Sequence, residues 1–205
     1  NLEPLFYILV FLFSVVIHEV SHGAVANSLG DPTAKNLGRL SLNPLVHLDM
    51  FGSVILPLML WLLSGFNFII GYAKPVPYDP SLLKDRRYGP AKVAVAGPLS
   101  NIIMVIAFGL LLRFMPDIFT SSLVPDLLSY IVRINLILAI FNLMPIPPLD
   151  GHWLLMTFLS SRFDYLKIFL YKYSLVLLFV FIIFIFPLLL PLLAFLFKLI
   201  TGLVF

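Results

Sequence analysis

Apolar residues run along this chain in long unbroken stretches, without the alternation of a half-buried strand or the single stripe of a surface helix. Residues 5–29 form the first stretch and predict a helix stopped by Gly30, Asp31 and Pro32. Residues 31–50 mix Gly, Pro and Asn with loose alternation at Leu40, Leu42 and Leu45, which predicts a β-hairpin or irregular segment at the membrane surface. Residues 52–65 read as a short apolar helix broken by Pro57, and residues 66–76, aromatic and β-branched, as more strand than helix. Residues 79–88 are polar. Residues 91–114 and 127–144 each read as a span. Residues 145–150 (PIPPLD) cannot be helical, because three prolines remove donors and fix φ. After a polar break at 160–165, residues 166–205 are almost unbroken apolar sequence with Pro187 and Pro191, which fits two tilted helices or one kinked one.

Composition turns this pattern into a class. The chain has 205 residues, of which 61% are hydrophobic and only 11% charged, with a mean hydropathy of +1.07. A soluble domain is about a quarter charged, so 13 Lys and Arg with 10 Asp and Glu cannot cover a water-facing surface of this size. Long apolar runs and 20 Phe exclude disorder equally. The expected fold is an all-α polytopic membrane protein of about five to six hydrophobic helices, with a small membrane-associated β-hairpin or re-entrant region. Residues 1–205 read as a single domain. The first run lacks a basic leader and holds His18, Glu19 and His22, so it reads as a structural helix, not a signal peptide. A net charge of +3 makes nucleic acid a poor partner. The absence of Cys excludes disulfides and thiolate metal sites.

Ionisable groups inside apolar sequence are costly and need a reason. Four stand out: His18, Glu19, His22 and Asp150. On a helix, His18 and His22 of H-E-V-S-H share one face and can grip one metal ion, with Glu19 placed to act on a metal-bound water. The plainer alternative is a polar cluster that packs helix against helix. A catalytic zinc takes three protein ligands and keeps one open position. His47, Asp49, His152 and Asp150 are the candidates for the third. Asp150 is favoured, because P-I-P-P-L-D-G puts a carboxylate on unwound backbone, which membrane depth tolerates only beside a polar cavity or within protein. A plain Asp-Gly turn at the membrane surface is the alternative. His47 and Asp49 read as interfacial, and His152 as exposed at the cavity mouth.

Three segments, H18-E-V-S-H22, A96-G-P-L-S-N101 and N142-L-M-P-I-P-P-L-D150-G151, resemble the site-2 proteases, zinc metalloproteases that cut within the membrane. The segments G38-R-L-S-L-N-P and G71-Y-A-K-P-V-P are similar to its compact members. The resemblance implies one Zn2+ per chain, bound by His18, His22 and Asp150, with Glu19 as the catalytic acid/base. It implies that Asn142 helps to hold the substrate strand or the oxyanion, and that Asn101 serves packing. It further implies a single-span membrane protein as substrate. Such a helix must unwind locally to expose a peptide bond, and residues 68–74 are the candidate edge on which its extended segment could add. The larger relatives' PDZ domain and CBS pair are not found within these residues.

Two other functions compete: a metal-ion transporter or metal-binding membrane protein using the same His/His/Asp site, and a silent relative that only binds membrane proteins. Glu19 discriminates against both, since hydrolysis needs a free carboxylate there and transit of a metal does not. The expected location is a prokaryotic cell membrane. The three motifs meet at one depth only if residues 29, 91 and 144 face the same side. That side collects Lys35, Arg39, Lys74, Lys84, Arg86, Arg87, Lys92, Arg162, Lys167 and Lys172, and is therefore expected to be cytoplasmic. Residues 51–76 would then be re-entrant and the N-terminus outside. The oligomeric state, a homo-oligomer included, is left open by the sequence.

Overall fold

A computed structural model describes residues 3–63, 73–115 and 123–205. Helix α1 (Glu3–Ser28) leads through the short α2 (Thr33–Asn36) and a 3-10 turn (Pro44–His47) to a π-helical turn (Met50–Ile55) and α3 (Leu56–Leu63). Helix α4 (Gly89–Phe114) and α5 (Leu123–Asn142) are the next long elements. Helices α6 (Gly151–Phe158) and α7 (Asp164–Lys172) follow, and then α8 (Ser174–Val180) and α9 (Phe186–Thr201), joined by a π-helical turn (Phe181–Ile185).

Four helical segments are long and apolar enough to cross a membrane: Leu5–Ser28, Gly89–Phe114, Leu123–Asn142 and Ser174–Thr201. Among the described residues these four are the candidate spans, and the expected count of about five to six hydrophobic helices is not confirmed. The eight residues of α3 rise about 12 Å at 1.5 Å per residue, and residues 64–72 that follow lie outside the described residues. The tail yields one span, Ser174–Thr201, in which Pro187 lies just past the π-helical turn Phe181–Ile185, a local adjustment of the kind that accommodates a proline's missing N–H within a membrane helix. The short α7 carries the polar residues before it.

The expected hairpin over 31–50 does not form. Its backbone donors are spent locally: Asn36 on Pro32, Leu37 on Thr33, Arg39 on Ala34 and Val46 on Asn43. The Asn43 side chain accepts from the Leu45 N–H, a local bond that competes with any strand ladder. No strand occurs among the described residues. Of the expected strand over 66–76 and the edge over 68–74, residues 66–72 lie outside the described residues. The Lys74 N–H bonds the His47 carbonyl at 2.8 Å.

Helices α4, α5 and α9 meet around Val105, Leu112, Val132, Leu136, Leu193 and Phe197. Small residues let α1 approach α4, with Ala26 of α1 and Ala91, Ala94 and Gly97 of α4 all buried. Close backbone approach, not apolar burial, drives helix association in lipid. The Lys84 N–H bonds the Leu29 carbonyl at 2.9 Å, which ties the end of α1 to the start of α4.

Beyond these ends, residues 74–79 form a strap fastened at several points. Arg39 Nη2 donates to the Lys74 and Pro75 carbonyls at 2.8 and 3.2 Å. The Asp79 N–H bonds the fully buried Asp31 at 2.6 Å. Burial raises the Asp31 pKa, but bonds from the Thr33 hydroxyl and from the Asp79 and Thr33 N–H groups outweigh it and hold the carboxyl below its usual range. A Cβ on Gly23 would come within 2.7 Å of both Leu40 and Val76. Glycine at this position is what lets the strap lie against α1.

Candidate metal centre

His18 and His22 project from one face of α1 by the i, i+4 spacing, and both are buried. Each ring is held from behind by α4. His18 Nδ1 lies 2.6 Å from Asn101 Oδ1, and His22 Nδ1 lies 2.7 Å from the Val93 carbonyl. Both partners are acceptors, so each Nδ1 is the donor and each Nε2 points inward. Second partners of this kind fix tautomer and ring direction in metal sites.

Asp150 reaches the same point from the other side. Its Oδ2 lies 3.0 Å from His18 Nε2 and 3.3 Å from His22 Nε2. One ligand atom from each of the three residues falls within 4.8 Å of the others, so they could hold a metal ion. Asp150 is delivered by a compact turn in which Ile146 bonds Met144, Leu149 bonds Ile146 and His152 bonds Leu149, with a cis Pro147–Pro148 peptide. Gly151 makes this turn possible. A Cβ there would stand 2.1 Å from the Leu143 carbonyl oxygen, closer than any side chain allows.

Gly97 tests whether the donor set is shaped for an ion. A Cβ at this position would fall 2.4 Å from His22 Nε2 and 2.5 Å from His18 Nε2. The space in front of the two nitrogens is therefore kept open by the one residue without a side chain. Val93, Gly97 and Asn101 recur every four residues along α4 and supply, in turn, a carbonyl, the open space and an amide. Three convergent donors of the His/His/carboxylate kind fit zinc.

Glu19 borders the same cavity of about 210 Å³, together with Val76, Tyr78, Asn142, Pro148 and Trp153. Its Oε2 accepts the Val76 N–H at 2.9 Å, so the strap aims the carboxylate beside the three donors. The Asn142 side chain faces the cavity and donates to the Leu138 carbonyl at 3.0 Å. The Tyr78 hydroxyl is buried without a hydrogen-bond partner among the described residues. Burial, and then the Asp150 charge, push its pKa up to about 12, so it remains a neutral donor.

The other sequence candidates lie elsewhere. His47, expected at the surface, is fully buried and bonds the Ser41 carbonyl through Nε2, packing the loop that carries the strap. Asp49 caps the next turn by accepting the Gly52 N–H. His152, expected at an exposed mouth, is buried, bonds the Leu149 carbonyl and packs against Trp153 and Tyr171. Asn101, read as packing, contacts the centre directly. Gly97 and Tyr78 were not singled out, although A-G-P at 96–98 holds a glycine where a helix has no local use for one.

The profile of Peptidase family M50 matches residues 116–186, which contain Asp150. YwhC of Bacillus subtilis, named as a candidate zinc metalloprotease, is 38% identical over 154 residues, covering 72% of this chain and 66% of YwhC. Rip2 of Mycolicibacterium smegmatis, of like description, is 29% identical over 74% of this chain and 59% of its own length. MJ0611 of Methanocaldococcus jannaschii, again so described, is 32% identical over 72% of this chain and 71% of its own length. The chain thus spans under two thirds of the length of the first two relatives. No solved structure matches it. Similarity over most of the chain and across bacteria and archaea, together with apolar helices that mark an integral membrane protein, leads to one conclusion: the chain belongs to peptidase family M50, the site-2 protease family that its motifs resemble.

Proposed function

We propose that residues 1–205 form an intramembrane peptidase domain that uses one Zn2+ at His18, His22 and Asp150 to hydrolyse peptide bonds of single-span membrane proteins. The observation that carries this reading is Glu19. A carboxylate outside the donor set, held by the Val76 N–H beside three convergent donors, is the group that hydrolysis needs and metal transit does not.

Zinc bound there would supply Lewis acidity and a water acidic enough to lose a proton near neutral pH. Glu19 accepts that proton and returns it to the leaving amine. Val76 keeps the carboxylate aimed at the cavity through this exchange. The Asn142 amide and the neutral Tyr78 hydroxyl face the space where the scissile carbonyl lies and can donate to it as charge develops. A substrate helix hides its peptide bonds in its own hydrogen bonds, so it must unwind to present one in a cavity of this size.

The direct test is the purified chain in detergent, incubated with a panel of single-span proteins with and without a chelator. Cleavage lost to the chelator and restored by zinc is the expected result; no cleavage of any substrate by zinc-loaded protein would overturn the reading. Asp150→Asn adds a sharper form. A neutral amide is a poor zinc ligand and leaves two imidazoles to hold the ion, so metal content and cleavage should fall together.

The same reading places the centre toward the cytoplasm. The ends of α1 and α4 joined by the Lys84–Leu29 bond carry Lys84, Arg86, Arg87 and Lys92, in keeping with the positive-inside rule. A cysteine introduced at residue 2 should react with outside reagents in intact cells, and one at Lys84 should not. The reverse labelling would invert the orientation.

A further inference from the structure

Behind His18 lies a line of buried polar side chains that crosses three helices and that, beyond Asn101, no metal or substrate role absorbs. Asn101 of α4 and Asn135 of α5 are fully buried, and Ser14 of α1 is almost so. Asn135 Nδ2 donates to the Ile131 carbonyl at 2.9 Å and to Ser14 Oγ at 2.9 Å. Asn101 Nδ2 donates to Asn135 Oδ1 at 2.8 Å and approaches the Ser14 carbonyl at 3.5 Å. Asn101 Oδ1 is then left for His18 Nδ1.

The direction of this chain is not free. An asparagine amide can turn over and exchange its oxygen for its nitrogen, so its orientation is set by its partners. The Ile131 carbonyl can only accept, which fixes Asn135 Nδ2 toward it and Asn135 Oδ1 toward Asn101. That oxygen in turn accepts from Asn101 Nδ2 and turns the Asn101 oxygen toward His18. If Asn101 turned over, its NH2 would face His18 Nδ1, and the ring proton would move to Nε2, where Asp150 Oδ2 waits at 3.0 Å. A histidine with its proton on Nε2 has no lone pair there to give a metal.

We propose that Asn135 is a positioning residue: through Asn101 it transmits the polarity of the Ile131 carbonyl to His18 and keeps His18 Nε2 available as a ligand. This deepens the zinc reading above and rests on it only for the identity of the metal. Asn135 touches neither the donor triad nor the cavity. The Ser14 hydroxyl both donates and accepts and so sets no direction, whereas the Ser14 carbonyl, a longer partner of Asn101 Nδ2 at 3.5 Å, favours the same orientation and is retained in Ser14→Ala.

The test takes the whole purified chain labelled with 15N-histidine, with the His18 signal assigned by its loss in His18→Gln. Wild type should show a proton on His18 Nδ1 both metal-free and with zinc. Asn135→Leu should lose that signal in the metal-free protein and weaken zinc binding, measured by chelator competition, by about 10-fold, the lower end of the usual effect of partners behind a metal ligand. Ser14→Ala should change neither. Asn135→Asp, which restores an acceptor for Asn101, should recover both, an outcome that a purely structural role for Asn135 does not produce. If Asn135→Leu fails to fold, the smaller Asn135→Ala is read the same way. An Nδ1 proton and zinc affinity unchanged in the Leu or Ala variant would overturn the proposal, as would a wild type with no Nδ1 proton when metal-free. The signal in metal-free protein is independent of catalysis. A wild type that cleaves nothing, yet shows the Nδ1 proton and loses it in Asn135→Leu, therefore defeats the protease reading and supports this proposal.

Discussion

Glu19→Gln should abolish cleavage while leaving zinc near one per chain. The side chain is not among the three donors that converge on one point, and glutamine keeps its shape and an oxygen for the Val76 N–H that Glu19 Oε2 now accepts. What disappears is the ability to take and return a proton. General acid/base catalysis is worth about 10²–10⁴-fold, and loss of nucleophile activation adds to that. Metal analysis beside cleavage of one membrane-embedded substrate is the measurement. Undiminished cleavage by Glu19→Gln would end the protease reading and put a metal-binding or transport role first.

Gly97→Val should remove metal and activity together, although Gly97 contributes no chemical group. Its Cβ would sit 2.4 and 2.5 Å from the two ligating nitrogens, in the space the ion itself needs. The rings cannot retreat freely, because Asn101 and the Val93 carbonyl hold them from behind. Overpacking of this kind costs about 1–3 kcal/mol of stability, so an intact fold with an empty, inactive centre is the expected outcome. A misplacement of about 1 Å at a reacting centre can cost about 10²-fold in rate. Gly97→Ala should fall between wild type and Val. Circular dichroism and thermal melting would separate loss of the site from loss of the fold, and full zinc content in the Val variant would show that the cradle yields.

Much of the chemistry was written locally. H-E-V-S-H needs only helical periodicity to put His18 and His22 on one face with Glu19 beside them, and periodicity is dictated by neighbours in the chain. Three of the four candidate spans, in residues 5–28, 89–114 and 123–142, are legible for the same reason: in lipid, a run of about 20 apolar residues must satisfy its own backbone and has helix as its solution. The tail reads equally as two helices or one until its packing is known. Residues 31–50 show where local pattern misleads. Leu40 and Leu42 have a strand's spacing, with Leu45 following only loosely, but Asp31 and Asn43 side chains and short-range turns take up the backbone donors. His47 and His152 carry ligand chemistry yet are spent on packing, which burial decides and residue type does not.

What only the tertiary structure decided is what lies far apart in sequence. Asp150 was the favoured third ligand on the strength of its unwound backbone, but its approach to His18 depends on Gly151 fitting against the Leu143 carbonyl. The open space at Gly97, the aim of Glu19 by Val76 and the Ile131–Asn135–Asn101–His18 chain each join separate helices or loops. In the sequence a glycine, a valine N–H and an asparagine look alike wherever they fall. Their roles come from the direction of a donor or the absence of a Cβ at a contact between helices, and packing alone sets those.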